Sequence, residues 1–198
     1  DDLIEWCAEF GLWISLDMHA APGSQGVTLG ITDGFYPNNL WEYPVFQDVL
    51  VDIWDAISDR YRDESRIAMY EFINEPNNVP GGGPAIRDLT QRLITMVRNK
   101  GDQHLIGVHG NGYSNVYDNM LPSDFSPNWG LVYHAHRYWI ELQDDAIPNG
   151  NPNVINRMVD LVQFRQTHQG PLWVSETGEN SNEWMAANID AMEAAGVS

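Results

Sequence analysis

Two rhythms of apolar and polar positions take turns along this chain. Residues 12–19, LWISLDMH, alternate as a half-buried strand does. Residues 43–62 instead repeat with helical spacing, through Phe46, Val49, Leu50, Ile53, Trp54, Ile57 and Tyr61. RIAMYEFINE, HLIGVHG, GLVYHAHRYW and PLWVSET read as four further strands. Between and after them, helices are predicted over 85–100, over 153–168 and from about residue 182. Ile86, Leu89, Leu93 and Val97 line the first of these, and Val154, Ile155, Met158, Val159 and Val162 the second. Upstream of everything, DDLIEWCAEFG reads as the end of a helix, with Leu3, Ile4 and Cys7 on one face and Gly11 as its stop. Gly101 and Gly170 are expected to stop two later helices, and 79–84 and 110–129 to be loops.

Strands separated by helices imply a parallel sheet, hence an α/β fold. With no repeat, linker or low-complexity tract, residues 1–198 are expected to be one domain. A closed eight-stranded barrel takes about 250 residues, and this chain has 198 with five visible strands. An open doubly wound sheet would suit the length, but no Gly-x-Gly-x-x-Gly follows the first strand. In either architecture functional groups gather at the carboxyl ends of the strands.

Those ends are where the polar residues lie: Asp17-Met18-His19, Asn74-Glu75-Pro76, His109-Gly110-Asn111, His134-Ala135-His136-Arg137-Tyr138 and Glu176-Thr177-Gly178-Glu179. Alternation groups Ser15, Asp17 and His19 on one face, and likewise His134, His136 and Tyr138. It also groups Glu71, Ile73 and Glu75, and Leu172, Val174 and Glu176. Pro76 is expected to hold Glu75 extended and end its strand. Two carboxylates, Glu75 and Glu176, then stand at separate strand ends, and a pair of carboxyl groups flanking one bond is what glycoside hydrolysis requires. A competing arrangement is His134-x-His136 with Asp17-x-His19, whose spacing suits a metal. It leaves both glutamates without a task, so no metal or cofactor is expected. His104 and His168 read as surface or helix-end residues.

Composition narrows the partner. Twenty-eight carboxylates against 10 Lys and Arg give a formal charge of −18, a field that repels nucleic acid and anionic lipid. No run approaches the roughly 20 apolar residues of a membrane span. The single cysteine, Cys7, excludes an internal disulfide and is expected to be buried filler. Of eight Trp and eight Tyr, most belong in a core and a few could stack on sugar rings; Trp41, Trp139 and Trp184 lie in rim-like positions, with core packing an equal reading for Trp184.

LDMHAAPGSQ, EFINEPN, VYHAHRYW and PLWVSETGE together resemble, in order, the motif series of glycoside hydrolase family 5. The Asp-x-His-x-x-Pro-Gly-Ser-Gln stretch is most similar to members acting on exo-β-1,3-glucan and related β-glucosides. The resemblance implies an incomplete (β/α)8 (TIM) barrel holding strands three to seven. It implies a retaining enzyme in which Glu75 is the acid/base and Glu176 the nucleophile. Repulsion between carboxyl groups about 5 Å apart would help separate their titrations. By the same resemblance Asn74 would bond the sugar 2-hydroxyl, and Tyr138 of the His136-x-Tyr138 pair would orient the nucleophile. His19 would stand near the attacked sugar, with Asn111 and Trp139 as further rim candidates and APGSQG as part of the wall.

The substrates implied are short β-glucans or β-glucosides; an endo-β-1,4-glucanase and a non-catalytic sugar-binding remnant are the alternatives. The family's first two strands, with a supporting Arg, and its eighth, with a Trp, have no counterpart among these residues. Five strands without closure would leave open edges, so two copies are expected to pair as a dimer.

Overall fold

The computed structural model describes residues 1–28, 31–32, 37–138, 152–178 and 181–197, with 152–157 described in backbone only. It resolves them into two units, residues 1–132 and 133–198. Both are built of parallel strands and helices.

In the first unit β1 (Ile14–Asp17), β2 (Ile67–Glu71) and β3 (Leu105–Val108) lie side by side in that order, all parallel. Asp17 stands opposite Glu71, and Glu71 opposite Gly107, so the strands finish level with one another. The helices are α1 (Asp2–Glu9), α2 (Asn39–Glu42), α3 (Pro44–Tyr61) and α4 (Gly82–Asn99), followed by a single kinked turn, α5 (Asn111–Ser114). Proline at the first position of α3 suits a site whose N–H has no partner within the helix. Leu50 and Trp54 of α3 are buried, and the Trp54 ring packs on Tyr70 at 5.2 Å and Phe72 at 5.1 Å. Its indole N–H donates to the Phe72 carbonyl at 3.1 Å. Tyr70 therefore faces the helices, which by alternation turns Met69 and Glu71 to the other side of the sheet.

Helix α4 buries Ile86, Leu89, Leu93, Ile94 and Val97, and starts earlier than its apolar spacing predicts. Gly83 makes the difference: a Cβ there would stand 1.8 Å from the Asp118 carbonyl oxygen, so only glycine lets the two backbones approach this closely. At the far end of α1 the Gly11 and Leu12 amides donate back to Ala8 and Cys7, closing the helix as expected. The helix itself buries none of its residues, and Cys7 is half-buried where burial was expected.

β4 (Leu131–His136) leads into the second unit, which also holds α6 (Pro152–His168), β5 (Leu172–Glu176) and α7 (Asn182–Ala195). β4 and β5 pair in parallel. Ala135, Met158, Leu161, Val174, Trp184, Met192 and Val197 form the core here, and the Tyr133 ring meets Phe164 at 5.0 Å. Trp184 is thus a core residue and no rim aromatic. Ser181 caps α7 by accepting the Trp184 amide at 3.1 Å. α6 stops at His168, but the left-handed residue is Gln169 at φ +54, where Gly170 was expected to serve. Val154 and Ile155 of the predicted apolar face lie outside the described side chains. No helix among the described residues is long and apolar enough to cross a membrane.

Candidate active site

Each unit carries its own polar cluster at the carboxyl ends of its strands. In the first, β1 ends on Asp17, whose carboxylate accepts from His19 Nδ1 at 2.8 Å. That bond leaves His19 Nε2 as an acceptor facing the Asn74 side-chain amide at 3.4 Å. His19 and Asn74 are thereby brought together.

The turn-rich APGSQG is more than a wall. Gln25 is fully buried, and its side-chain N–H groups donate to the backbone carbonyls of His19 at 2.8 Å and Asn74 at 2.7 Å. Its own oxygen accepts the Ala21 amide at 3.0 Å. One glutamine thus fixes the backbones of two site residues. Trp41, a rim candidate, is half-buried and donates its indole N–H to the Gln25 carbonyl at 2.9 Å.

Glu75 departs from expectation. Its φ is +49°, so the backbone there is left-handed and not extended, despite the proline that follows. A non-glycine residue in this region carries about 1–3 kcal/mol of strain, and persists only where its surroundings hold it. Asn77 donates to the Glu75 carbonyl at 3.1 Å, and the Glu75 amide faces His109 Nδ1 at 3.5 Å. Because β2 stops at Glu71, the predicted grouping of Glu71, Ile73 and Glu75 on one strand face does not hold. Asn74 is also fully buried, and its side-chain oxygen has no hydrogen-bond partner among the described residues. Asn111 opens the turn after β3, half-buried, in the segment that carries Ser114 onto His109 at 2.7 Å.

In the second unit His134 and His136 are buried on one face of β4, and the His134 ring meets Trp173 edge-on at 5.2 Å. Strict alternation would send Glu176 the other way, into the apolar cluster with Leu172 and Val174. It does not go there. The pairing of β4 with β5 shifts between Ala135 and His136, so that Ala135 stands opposite Val174 but His136 opposite Glu176. One extra residue, Ser175, turns the strand end over. Glu176 then lies 3.5 Å from His136 Nδ1, and the Tyr138 hydroxyl donates to its Oε2 at 3.1 Å. Behind it, the Arg137 carbonyl accepts from Thr177 at 2.7 Å, and Thr177 Oγ1 from Asn188 at 2.6 Å. Trp139 lies outside the described residues, as does Glu179.

Two residues that the sequence places at strand ends but gives no role, Glu71 and His109, are joined here. The signal was present, because a glutamate inside the apolar run IAMYEF must find hydrogen bonds if it is buried. Glu71 Oε1 accepts from Ser15 Oγ, and Oε2 lies 3.1 Å from His109 Nε2.

The whole chain, residues 1–198, matches the model of the cellulase family, glycosyl hydrolase family 5. The chain belongs to that family. A β-xylosidase of Phanerodontia chrysosporium is 28% identical over 142 residues, which is 70% of this chain and 28% of that protein. Endoglucanase C of Acetivibrio thermocellus is 28% identical over 70% of this chain and 38% of its own length. A glucan 1,3-β-glucosidase of Pichia angusta is 27% identical over 71% and 33%. The chain thus spans about a third of the curated relatives it matches. Among solved structures, Thermotoga maritima Cel5A in complex with cellobiose superposes with a TM-score of 0.75 at 16% identity, over 98% of this chain and 65% of that one. The likeness shows the fold: five parallel strands of the (β/α)8 type, in a family 5 chain.

Proposed function

We propose that these residues are one catalytic domain of a retaining β-glucosidase or exo-β-glucanase, working on short β-glucans or β-glucosides without metal or organic cofactor. The observation that carries the proposal is the Glu176 carboxylate held between the Tyr138 hydroxyl at 3.1 Å and His136 at 3.5 Å. A hydroxyl donor on a carboxylate oxygen fixes the direction of the carboxylate, which suits a nucleophile. Glu176 would attack the anomeric carbon while Glu75 protonates the departing oxygen. Glu75 would then take a proton from the water that releases the sugar. The unpartnered oxygen of Asn74 is an acceptor that a sugar hydroxyl could satisfy, and His19 would stand beside it.

The test is intact-mass analysis after incubation with a 2-deoxy-2-fluoro-β-glucoside bearing a good leaving group, followed by peptide mapping. A sugar on Glu176 is expected; folded, unlabelled protein would overturn the assignment for glucosides. Replacing Glu176 with Ala should abolish turnover, whereas in a sugar-binding remnant it would leave affinity unchanged. An endo-β-1,4-glucanase is the second reading, supported by the endoglucanases among the relatives, and cellopentaose cleaved at internal bonds would favour it. Pairing of two copies is part of the proposal, supported by the exposed Leu3, Trp6, Phe10, Leu12 and Trp13; a stable monomer in sedimentation would remove it.

A further inference from the structure

We infer that the buried pair Glu71–His109 is a positioning device for Glu75, holding the backbone of that residue left-handed and so aiming its carboxyl group. The inference rests on the reading of Glu75 as the acid/base. It begins with proton bookkeeping around one ring. Glu71 is buried at the end of β2, and as a carboxylate it can only accept. His109 Nε2, 3.1 Å away, must therefore carry a hydrogen. The opposite nitrogen, Nδ1, lies 2.7 Å from Ser114 Oγ and 3.5 Å from the Glu75 backbone N–H. That N–H can only donate, so Nδ1 must be a bare acceptor.

One state of the ring satisfies Glu71, Ser114 and the Glu75 amide together: neutral, with its hydrogen on Nε2. A hydrogen on Nδ1 would set two donors face to face at the Glu75 peptide. Glu71 thus acts on Glu75 through the tautomer of His109, and Ser15 Oγ in turn holds Glu71 from β1. The Asn77 bond holds the same peptide unit from its carbonyl side. Whether residue 75 is left-handed or extended decides the direction in which its side chain leaves the backbone, and φ is +49°. Glu71 and His109 are therefore positioning residues, acting through the backbone without touching the sugar.

The experiment compares His109→Leu, which removes the acceptor, with His109→Asn, whose side-chain oxygen can replace Nδ1. Each is assayed on a dinitrophenyl β-glucoside, whose leaving group needs no proton, and on a methyl or phenyl β-glucoside, which needs one. His109→Leu should lose roughly 10- to 100-fold in kcat/KM on the poor leaving group and stay within about twofold on the dinitrophenyl substrate. His109→Asn should recover most of the loss. An equal loss on both substrates in folded protein, or no loss on either, overturns the inference. Long-range proton–nitrogen NMR of the histidine rings in the full wild-type chain tests the same link without turnover. A neutral His109 protonated at Nε2 is expected; an Nδ1–H tautomer or an imidazolium at neutral pH overturns it. If wild-type protein cleaves neither glucoside, the enzymatic reading fails by itself, and the ring measurement still decides the Glu71–His109–Glu75 link.

Discussion

Two buried histidine–carboxylate pairs bracket β3, His104 with Asp102 just before the strand and His109 with Glu71 just after it. Their composition is alike and their physics is not. Both nitrogens of His104 face acceptors, Asp102 Oδ1 at 2.6 Å and the Glu64 carbonyl at 3.1 Å, an arrangement that calls for a hydrogen on each. Burial pulls its pKa down, but the bonds to Asp102 and to the Glu64 carbonyl outweigh burial and hold it above the ordinary histidine value. Burial likewise pushes Asp102 up, and is outweighed by the bonds from His104 and Ser58, the latter at 2.7 Å, which leave it below the usual carboxylate range. The Tyr70 ring lies on His104 at 4.6 Å, its hydroxyl pushed far up by burial and by Asp102. His109, by contrast, has one nitrogen at an acceptor and the other at donors, which calls for a neutral ring. The partner of the second nitrogen decides whether such a pair is a charged staple or a tautomer switch. The staple sits at the end of the strand that serves stability in barrels of this type, and the neutral pair at the end that serves chemistry.

The largest effect expected from breaking this contrast is at the staple. Asp102→Ala would strand a buried imidazolium and remove the acceptor of Ser58, at a cost of about 3–5 kcal/mol or roughly 10 °C in melting temperature. Activity per folded molecule should be unchanged. A loss below about 1 kcal/mol in urea unfolding would show that the staple is not a staple.

His104→Gln comes next, at about 2 kcal/mol, and it carries a sign. A histidine whose folded pKa is raised stabilises fully below its unfolded value of about 6.5. That contribution fades as pH rises through the folded value. The stability gap between wild type and His104→Gln should therefore be widest near pH 5 and narrow towards alkaline pH. A gap that widens with pH would contradict a charged His104.

The smallest effects sharpen the comparison at its two serines. Ser58→Ala removes a bond to an ionised carboxylate and should cost about 2 kcal/mol, against about 1 kcal/mol for Ser114→Ala at the neutral ring. Paired denaturation curves would check the order; equal costs would mean that the bond to the Asp102 carboxylate is no stronger than the bond to the His109 ring.

The periodicities made much of this fold legible. The apolar spacing anticipated Ile86, Leu89, Leu93 and Val97 of α4 as buried, and Leu50 and Trp54 of α3, whose Val49 is exposed and whose Phe46, Ile53, Ile57 and Tyr61 are half-buried, because burying one face of a helix leaves a 3.6-residue signature. Asp17, His19, Asn74, Glu75, His136, Tyr138 and Glu176 were marked as strand-end groups because a parallel α/β sheet gathers function there. His104, read as a surface or helix-end residue, is buried. Its local sequence GDQHL gives no sign that Ser58, Glu64 and Tyr70 from elsewhere in the chain surround it.

The sequence alone determined the order of strands and helices and the polar residues that follow each strand, since alternation and helix spacing are local properties of the chain. Tertiary structure decided where those residues aim. Glu75 is left-handed although a proline follows it, and Glu176 turns to His136 although alternation points it into the core. Both depend on bonds from distant segments, His109 to one and β4 to the other. A single residue's backbone angle or a one-residue slip in register costs too little to be visible in local sequence, and is settled only when the neighbouring strands are in place.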